Sequence, residues 1–264
     1  MTGTMPPIIE LTDVSLRLPY HSQSSYNLKR MVGRLLVGKR NSVEWVIALN
    51  GVTLNVTAGE RIGVLGSNGA GKTSLLKVIS GAWIPSAGTC IASGRVAALL
   101  GDPGFGLDLE LSGLTNIGSM LTFQGIGKAQ SAPLIHKIVE TSGLKDAIHR
   151  PCYTYSAGML TRLKVSTLLF RDADIWVVDE GIATADDEFN LEVRSSLLEK
   201  FTSTTLILAT HSEILINSLC TRVIVMSEGG IQFDGLPQDG LAYRRSIVTR
   251  TQSRSECLTG MDIR

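Results

Sequence analysis

Short apolar runs alternate with segments of helical spacing along most of this chain, which is the pattern of an α/β fold. The runs that predict strands lie at residues 8–16, 46–56, 61–65, 94–100, 175–178, 205–209, 223–226 and 231–233. Helical spacing predicts helices within 112–149 and over 74–79, 159–170 and 190–201. Strands that alternate with helices in this way imply a parallel sheet that is covered on both faces.

Turn residues add detail to this pattern. Asn50-Gly51 predicts a turn inside the second apolar run, and residues 228–230 (E-G-G) predict a closing hairpin between the last two runs. Residues 244–264 are polar and lack periodicity. We therefore expect a loosely ordered C-terminal tail there.

A glycine-rich loop joins the run at 61–65 to the helix that follows it. Residues 66–73 read G-S-N-G-A-G-K-T and fit the phosphate-loop pattern G-x-x-x-x-G-K-[ST]. Lys72 is predicted to bind the β- and γ-phosphates, and the Thr73 hydroxyl to ligate Mg²⁺. A glycine-rich turn with a chance lysine is the alternative, which the strand before and the helix after disfavour. The predicted ATP contacts are Gly66, Ser67, Asn68, Gly69, Ala70, Gly71, Lys72, Thr73 and Ser74.

Two further apolar runs end in residues that suit the same chemistry. Asp179 and Glu180 follow 175–178, and we expect Asp179 to hold Mg²⁺ and Glu180 to orient the attacking water. An acidic pair that caps a helix is the structural alternative. His211 follows 205–209, at the edge where open α/β sheets bind ligands, and it is predicted to contact the γ-phosphate. His21, His136 and His149 are interpreted as ordinary surface histidines.

Charge and cysteine content exclude several classes of protein. The net charge of +1 gives no overall basic field, so nucleic acid is not an expected partner. The four cysteines lack metal-site spacing, which indicates reduced thiols. No apolar run has the length of a membrane span, and the start of the chain lacks a signal pattern. If the protein serves a membrane, we expect it to do so from the cytoplasmic face.

The segment Tyr155-Ser156-Ala157-Gly158-Met159 completes the set of motifs, although alone it predicts only a capped helix. With the phosphate loop, the paired carboxylates and the later histidine, the chain resembles the ATP-binding cassette (ABC) family over about residues 8–243. The resemblance implies an α/β P-loop ATPase with a mostly parallel core sheet, an antiparallel β subdomain and a helical subdomain at about 106–170. Residues 1–243 would form the nucleotide-binding domain and 244–264 the tail.

The resemblance also implies how the site works. ATP and Mg²⁺ are the implied cofactors, and Lys72, Glu180 and His211 the catalytic residues. In the implied head-to-tail homodimer, Ser156, Ala157 and Gly158 of one copy close on the γ-phosphate that the other copy holds. Asp186 matches the family's loop after the paired carboxylates, which links the two sites.

The Tyr-Ser-x-Gly-Met form of the signature is similar to that of cassettes that export bacterial polysaccharides. This implies an ATPase at the cytoplasmic face of the cell membrane, bound to an integral membrane permease, that drives export of a lipid-linked polysaccharide of the O-antigen, capsule or teichoic acid type. A soluble regulatory or nucleic-acid-processing cassette ATPase is one alternative. An exporter of a drug or a small lipid is the other.

The chain departs from the family pattern at two positions. Leu18 stands where many cassettes carry an aromatic residue that stacks on adenine, so Tyr20 or Trp45 is the candidate substitute. The glutamine that usually contacts Mg²⁺ is absent from 94–105, where Asp102 is the nearest polar candidate. Residues 20–45 predict a basic amphipathic helix, either against anionic lipid or packed on its own domain.

Overall fold

The computed structural model describes residues 6–20, 44–101, 104, 106–123, 125–179 and 187–247, with the main chain alone at Tyr20 and 187–194. The strands are β1 Ile9–Tyr20, β2 Glu44–Val56, β3 Arg61–Gly66, β4 Ala87–Ala92, β5 Val96–Leu99, β6 Ile175–Asp179, β7 Thr205–Ala209, β8 Arg222–Ser227 and β9 Gly230–Gly235. Predictions for the segment 21–43, the side chain of Tyr20, and Asp102, Glu180 and Asp186 lie outside the described residues.

Helices flank these strands, and the last two of them were not predicted from the sequence. The helices are α1 Lys72–Ile79, α2 Gly113–Phe123, α3 Lys128–Ser142, α4 Ala157–Leu169, α5 Asp187–Ser203, α6 Glu213–Leu219 and α7 over 237–247. Short 3₁₀ helices at Lys145–His149 and Cys152–Thr154 connect α3 to α4. None of the helices in the described ranges is long and apolar enough to cross a membrane.

Two separate sheets organise the fold. The larger sheet has six strands in the order β5-β6-β7-β3-β8-β9, all parallel except the pair β8 and β9. The smaller sheet is antiparallel, with the order β2-β1-β4. Every residue of β6 and β7 is buried, as expected for central strands covered on both faces.

The core forms three apolar clusters. The first lies between the two sheets and includes α1, and the second lies on the other face of the large sheet. Trp176 and Phe201 make an edge-to-face contact in the second cluster, with ring centroids 5.4 Å apart. The third cluster joins α2, α3 and α4 and includes Tyr155. It gives the segment before the signature an apolar support of its own.

The predicted turn at Asn50-Gly51 was wrong, because β2 continues through it as a bulged strand. Gly51 has φ +62°, and its N–H donates to Ser15 Oγ at 3.0 Å. On either side, Leu49 pairs with Leu16 and Val52 with Val14, so pairing with β1 resumes after the irregularity. A positive φ at a glycine is compatible with a bulge as well as with a turn.

The start of the predicted tail is also different in the structure. Helix α7 extends through Ile247, so residues 244–247 are helical. Ile247 packs against the second core cluster, in which Leu241 of the same helix is buried. Residues 248–264 lie outside the described residues.

Candidate nucleotide site

The phosphate loop follows β3 and leads directly into α1. Helix α1 begins at Lys72, and its N-cap is Gly71, which has no side chain to bond the first turn. The first turn of α1 also contains no acidic residue. The positive end of the helix therefore faces the loop without an acidic side chain beside it, which favours binding of an anion there.

Glycine is required at Gly66 and Gly71 because both have positive φ and lie against main-chain oxygens. Their φ values are +152° and +102°. A Cβ on Gly66 would lie 2.5 Å from the Met226 carbonyl oxygen, and one on Gly71 would lie 2.6 Å from that of Ala48. The loop thus packs closely against β8 and β2, and its shape tolerates no side chain at either position.

Lys72 folds back over this loop. Its Nζ donates to the carbonyl oxygens of Gly66 at 2.9 Å and Ser67 at 3.0 Å. The ammonium group is therefore held at the mouth of the loop by two main-chain oxygens. A bound phosphate could replace these oxygens as the acceptor for the Lys72 ammonium group without a large movement of the side chain.

Thr73 and Asp179 are joined by a hydrogen bond between their side chains. The Thr73 hydroxyl donates to Asp179 Oδ2 at 2.7 Å, and the Asp179 residue is only 8% exposed. A hydroxyl and a carboxylate are hard oxygen ligands of the kind that Mg²⁺ prefers, and such sites are usually completed by waters and substrate phosphates. The described residues contain no larger group of His, Cys, Asp and Glu side chains that could hold a metal. The pair therefore fits Mg²⁺ bound together with a nucleotide.

The carboxyl ends of the central strands bring these groups to one edge of the sheet. Asp179 ends β6 opposite Ala209 of β7, and Ala209 also pairs with Val64 of β3. His211 follows β7 by two residues and is exposed, as predicted for this edge. Gly101 also approaches the edge, because a Cβ there would lie 3.7 Å from Asp179 Oδ2. The loop that contains Asp102 therefore starts beside the carboxylate.

The signature segment belongs to the helical part of the chain. Ser156 is the N-cap of α4, as predicted, and its Oγ accepts the Met159 N–H at 3.2 Å. Ser156 and Ala157 are exposed. No hydrogen bond between described residues joins 156–158 to the phosphate loop. Within one chain, these predicted contacts and the phosphate loop are separate surfaces.

Tyr155 holds the signature from behind. It is 7% exposed, and its hydroxyl donates to the Ala147 carbonyl oxygen at 2.6 Å. Burial raises the pKa of this phenol, so it remains a donor. Asn116 supports the same region, because its side-chain amide donates to Cys152 Sγ at 3.4 Å. The same amide accepts from the Asp108 N–H and donates to the Asp108 carbonyl oxygen, both at 2.8 Å. The signature is thus anchored by buried polar contacts on its inner side.

Comparison with known proteins identifies the family. A family model described as "ABC transporter" matches residues 49–183, just over half of the 264-residue chain. The chain belongs to the ABC transporter family. This membership confirms the predicted fold class. It also confirms the prediction that the chain is an ATPase.

The chain is similar over most of its length to ABC proteins whose names describe export of O-antigen or teichoic acids. It is 31% identical to the O-antigen export system ATP-binding protein RfbB of Myxococcus xanthus, over 86% of this chain and 52% of that one. It is 30% identical to RfbE of the same description from Yersinia enterocolitica, over 82% of this chain and 93% of that one. The teichoic acids export ATP-binding protein TagH of Listeria monocytogenes is 30% identical, over 78% of this chain and 61% of that one. The chain therefore spans about half of the Myxococcus protein and nearly all of the Yersinia protein.

A solved cassette structure has the same fold. The dimeric post-hydrolysis state of the ATP-binding cassette MJ0796, bound to ADP and Pi, superposes with a TM-score of 0.65. The match covers 87% of this chain and 98% of that one at 17% identity. This similarity supports the assignment of the cassette fold to this chain.

Two polar residues near the site had no signal in the sequence that singled them out. Lys164 of α4 is 3% exposed, and its Nζ donates to the Leu100 carbonyl oxygen at 3.0 Å, at the end of β5. Arg244 of α7 lies beside His211, with Nη2 3.1 Å from Nδ1. Both contacts join residues that are far apart in the chain, and the polar composition of 244–264 suggested a tail at Arg244.

Proposed function

We propose that this chain is the ATP-hydrolysing subunit of an exporter that moves a lipid-linked polysaccharide of the O-antigen, capsule or teichoic acid type across the cytoplasmic membrane. The observation that carries the proposal is the agreement among its ABC relatives, whose names describe O-antigen or teichoic acid export. The Tyr155-Ser156-Ala157-Gly158-Met159 form of the signature gives independent support.

ATP would bind with its phosphates on the loop of residues 66–74. The N–H groups at the start of α1 would bond the phosphate oxygens, and Lys72 would neutralise the β- and γ-phosphates. Thr73 and Asp179 would hold Mg²⁺, with Asp102 as a further candidate ligand. When bound, Mg²⁺ neutralises charge that develops on the phosphate oxygens.

Hydrolysis requires a water molecule in line with the γ-phosphate. Glu180 would orient this water and accept its proton while the bond to the β-phosphate breaks, which releases ADP and phosphate. His211 would donate a hydrogen bond to the γ-phosphate. The described position of His211, two residues beyond β7, supports this role because the strand end adjoins Asp179.

A homodimer would complete the site. Ser156 and Ala157 are exposed at the N-terminus of α4. This exposure supports closure of Ser156, Ala157 and Gly158 on the nucleotide of a second copy. Asp186 would connect the two sites. Tyr20 or Trp45 would stack on adenine, and Trp45 is an exposed aromatic at 59%.

A separate membrane permease would be the partner that carries the glycan, with this chain bound at its cytoplasmic face. Closure on ATP and opening after hydrolysis would drive the permease. Nucleic acid is not a proposed partner, because the chain has a net charge of +1.

Co-purification tests this proposal. The tagged Glu180→Gln chain would be isolated from solubilised membranes with ATP and Mg²⁺, and its partners identified by mass spectrometry and glycan analysis. The matched control is Lys72→Ala, which separates nucleotide-dependent association from constitutive association. We expect a polytopic permease together with a lipid-linked glycan.

Other outcomes contradict specific parts of the proposal. A permease that carries a drug or a small lipid but no glycan would assign a different exporter class. Ribosomes or nucleic acid without a membrane protein would indicate a soluble regulatory or nucleic-acid-processing cassette. The ATPase assignment would survive both results.

A further inference from the structure

Helix α7 presents an arginine to the histidine that follows β7. Arg244 Nη2 lies 3.1 Å from Nδ1 of His211, although 33 positions separate them in the chain. We propose that Arg244 is a positioning residue for ATP hydrolysis, which fixes His211 as the neutral tautomer with its proton on Nε2. The proposal rests on the role of His211 given above.

The chemistry of the two groups determines the direction of this bond. A guanidinium carries N–H donors and no acceptor, so it can only donate. Nδ1 must therefore accept, which requires a lone pair on that nitrogen. A neutral imidazole with Nδ1 unprotonated carries its proton on Nε2. The doubly protonated ring and the other neutral tautomer both lack this acceptor.

The arginine is held in place by the packing of α7 on the large sheet. Leu241 is buried, and Tyr243 stacks on Phe233 with ring centroids 5.3 Å apart. Gly240 approaches β8 so closely that a Cβ there would lie 2.1 Å from Val223 Cγ2. Arg244 follows Gly240 by one helical turn and therefore lies on the same face of α7.

A second arginine on α7 contacts the start of α6 and not the histidine. Arg245 donates to both carboxylate oxygens of Glu213, with Nη2 to Oε2 at 2.5 Å. This contact lowers the pKa of Glu213. Ser212, between His211 and Glu213, caps α6 through the Leu215 N–H at 3.4 Å. The histidine therefore lies between a strand end and a capped helix, which restricts its main chain.

The consequence concerns the group that faces the nucleotide. With Nδ1 occupied by Arg244, the Nε2–H is the donor that His211 has for a phosphate oxygen. A ring with the proton on Nδ1 would present a lone pair to the phosphate at Nε2, and the two would repel. Loss of Arg244 therefore lowers the fraction of molecules with a competent donor, while the contacts that bind ATP remain.

Nitrogen NMR measures the tautomer directly. The chain has four histidines, so ¹⁵N-labelled protein gives few ring signals, and His211→Ala assigns the relevant pair. Spectra at pH about 8, where an ordinary imidazole is neutral, would compare the parent chain with Arg244→Met. We expect Nδ1 of His211 to be unprotonated in the parent and partly protonated in Arg244→Met.

Neighbouring substitutions provide the controls. Arg245→Met removes an arginine of the same helix that bonds Glu213, and it is expected to leave the His211 tautomer unchanged. Arg244→Lys retains a group that can only donate, and it should restore most of the Nε2-protonated form. Circular dichroism melting separates a tautomer effect from loss of fold.

Steady-state ATPase assays give the second readout. We expect kcat of Arg244→Met to fall by the same factor as the Nε2-protonated fraction of His211 measured by NMR, with little change in KM. Arg245→Met should keep the kcat of the parent. The double variant Arg244→Met/His211→Ala should be no slower than His211→Ala, because the arginine acts through the ring.

The NMR and ATPase results together decide whether Arg244 positions His211. An unchanged tautomer in Arg244→Met would overturn the proposal, as would independent, multiplying losses in the double variant. A chain with no ATPase activity would contradict the proposed function instead, and the NMR comparison would still decide the tautomer. A tautomer change in Arg244→Met and not in Arg245→Met would establish the positioning role.

Discussion

Replacement of Thr73 by valine tests the proposed metal site with a minimal change of shape. Valine keeps the branched volume of threonine and replaces the hydroxyl with a methyl group. The substitution removes the 2.7 Å hydrogen bond to Asp179 Oδ2. Asp179 is 8% exposed, so water can replace the missing donor only in part.

The structure gives two magnitudes for this change. A hydrogen bond to a charged group contributes about 1.5–3 kcal/mol, so the free energy of unfolding should fall by about 2 kcal/mol. For a domain of this size, that lowers Tm by about 4–8 °C. Weaker nucleotide binding adds a second effect: if Mg²⁺-ATP at about 100 times Kd stabilises the parent by about 2.7 kcal/mol, a tenfold loss of affinity leaves about 1.4 kcal/mol.

Thermal melting in three conditions separates the two effects. The parent, Thr73→Val and the hydroxyl-retaining control Thr73→Ser would be melted without nucleotide, with ATP and EDTA, and with ATP and Mg²⁺. We expect Thr73→Val to lose stability without nucleotide and to lose about half of the stabilisation that Mg²⁺-ATP gives the parent. A Thr73→Val chain that melts like the parent and responds fully to Mg²⁺-ATP would refute the assignment.

Three further predictions concern other parts of the chain. Glu180→Gln should bind a fluorescent ATP analogue but release no phosphate, whereas Lys72→Ala should lose both; normal turnover in Glu180→Gln would disprove the role of the carboxylate. Tyr155→Phe should lower the free energy of unfolding by about 1 kcal/mol, because it removes the 2.6 Å bond to the Ala147 oxygen, and an unchanged urea midpoint would contradict this. Burial raises the pKa of Cys220 to about 12, so this thiol stays protonated and should react with iodoacetamide at pH about 8 far more slowly in the native chain than in urea. Equal rates by peptide mass spectrometry would show that this thiol is accessible.

The local chemistry of the sequence predicts the phosphate loop and most of the elements around it. Gly66, Gly71 and Lys72 have roles that depend on neighbours within a few residues, so their spacing is sufficient information. The capped helix at Ser156 was also predicted, and the Ser156 hydroxyl accepts from the Met159 N–H three residues later. Local signals identify such positions because the hydrogen bonds they make are themselves local.

Contacts between distant segments could not be predicted in the same way. Lys164 lies in a helix with apolar neighbours, and no pattern in the chain indicates that the carbonyl oxygen of Leu100, 64 positions away, accepts a hydrogen bond from it. Arg244 and His211 pose the same problem. At Asn50-Gly51 the local signal was present but ambiguous, because a glycine with positive φ suits both a turn and a bulge. Only the pairing of β2 with β1 decides between them.

Burial of the central strands explains why the polar groups of the site come at strand ends and in pairs. All residues of β6 and β7 are buried, and a buried polar group without a partner costs about 1–3 kcal/mol. Thr205, at the start of β7, meets this requirement by accepting the Gly59 N–H at 3.0 Å. At the opposite edge, the buried Asp179 meets it by accepting from Thr73 of α1, while the exposed His211 contacts Arg244 of α7. Since these two acceptors take their donors from different helices, the orientation of their side chains depends on how those helices pack. A substitution that shifts α1 or α7 on the sheet should therefore alter ATP hydrolysis even when every residue that contacts the nucleotide is intact.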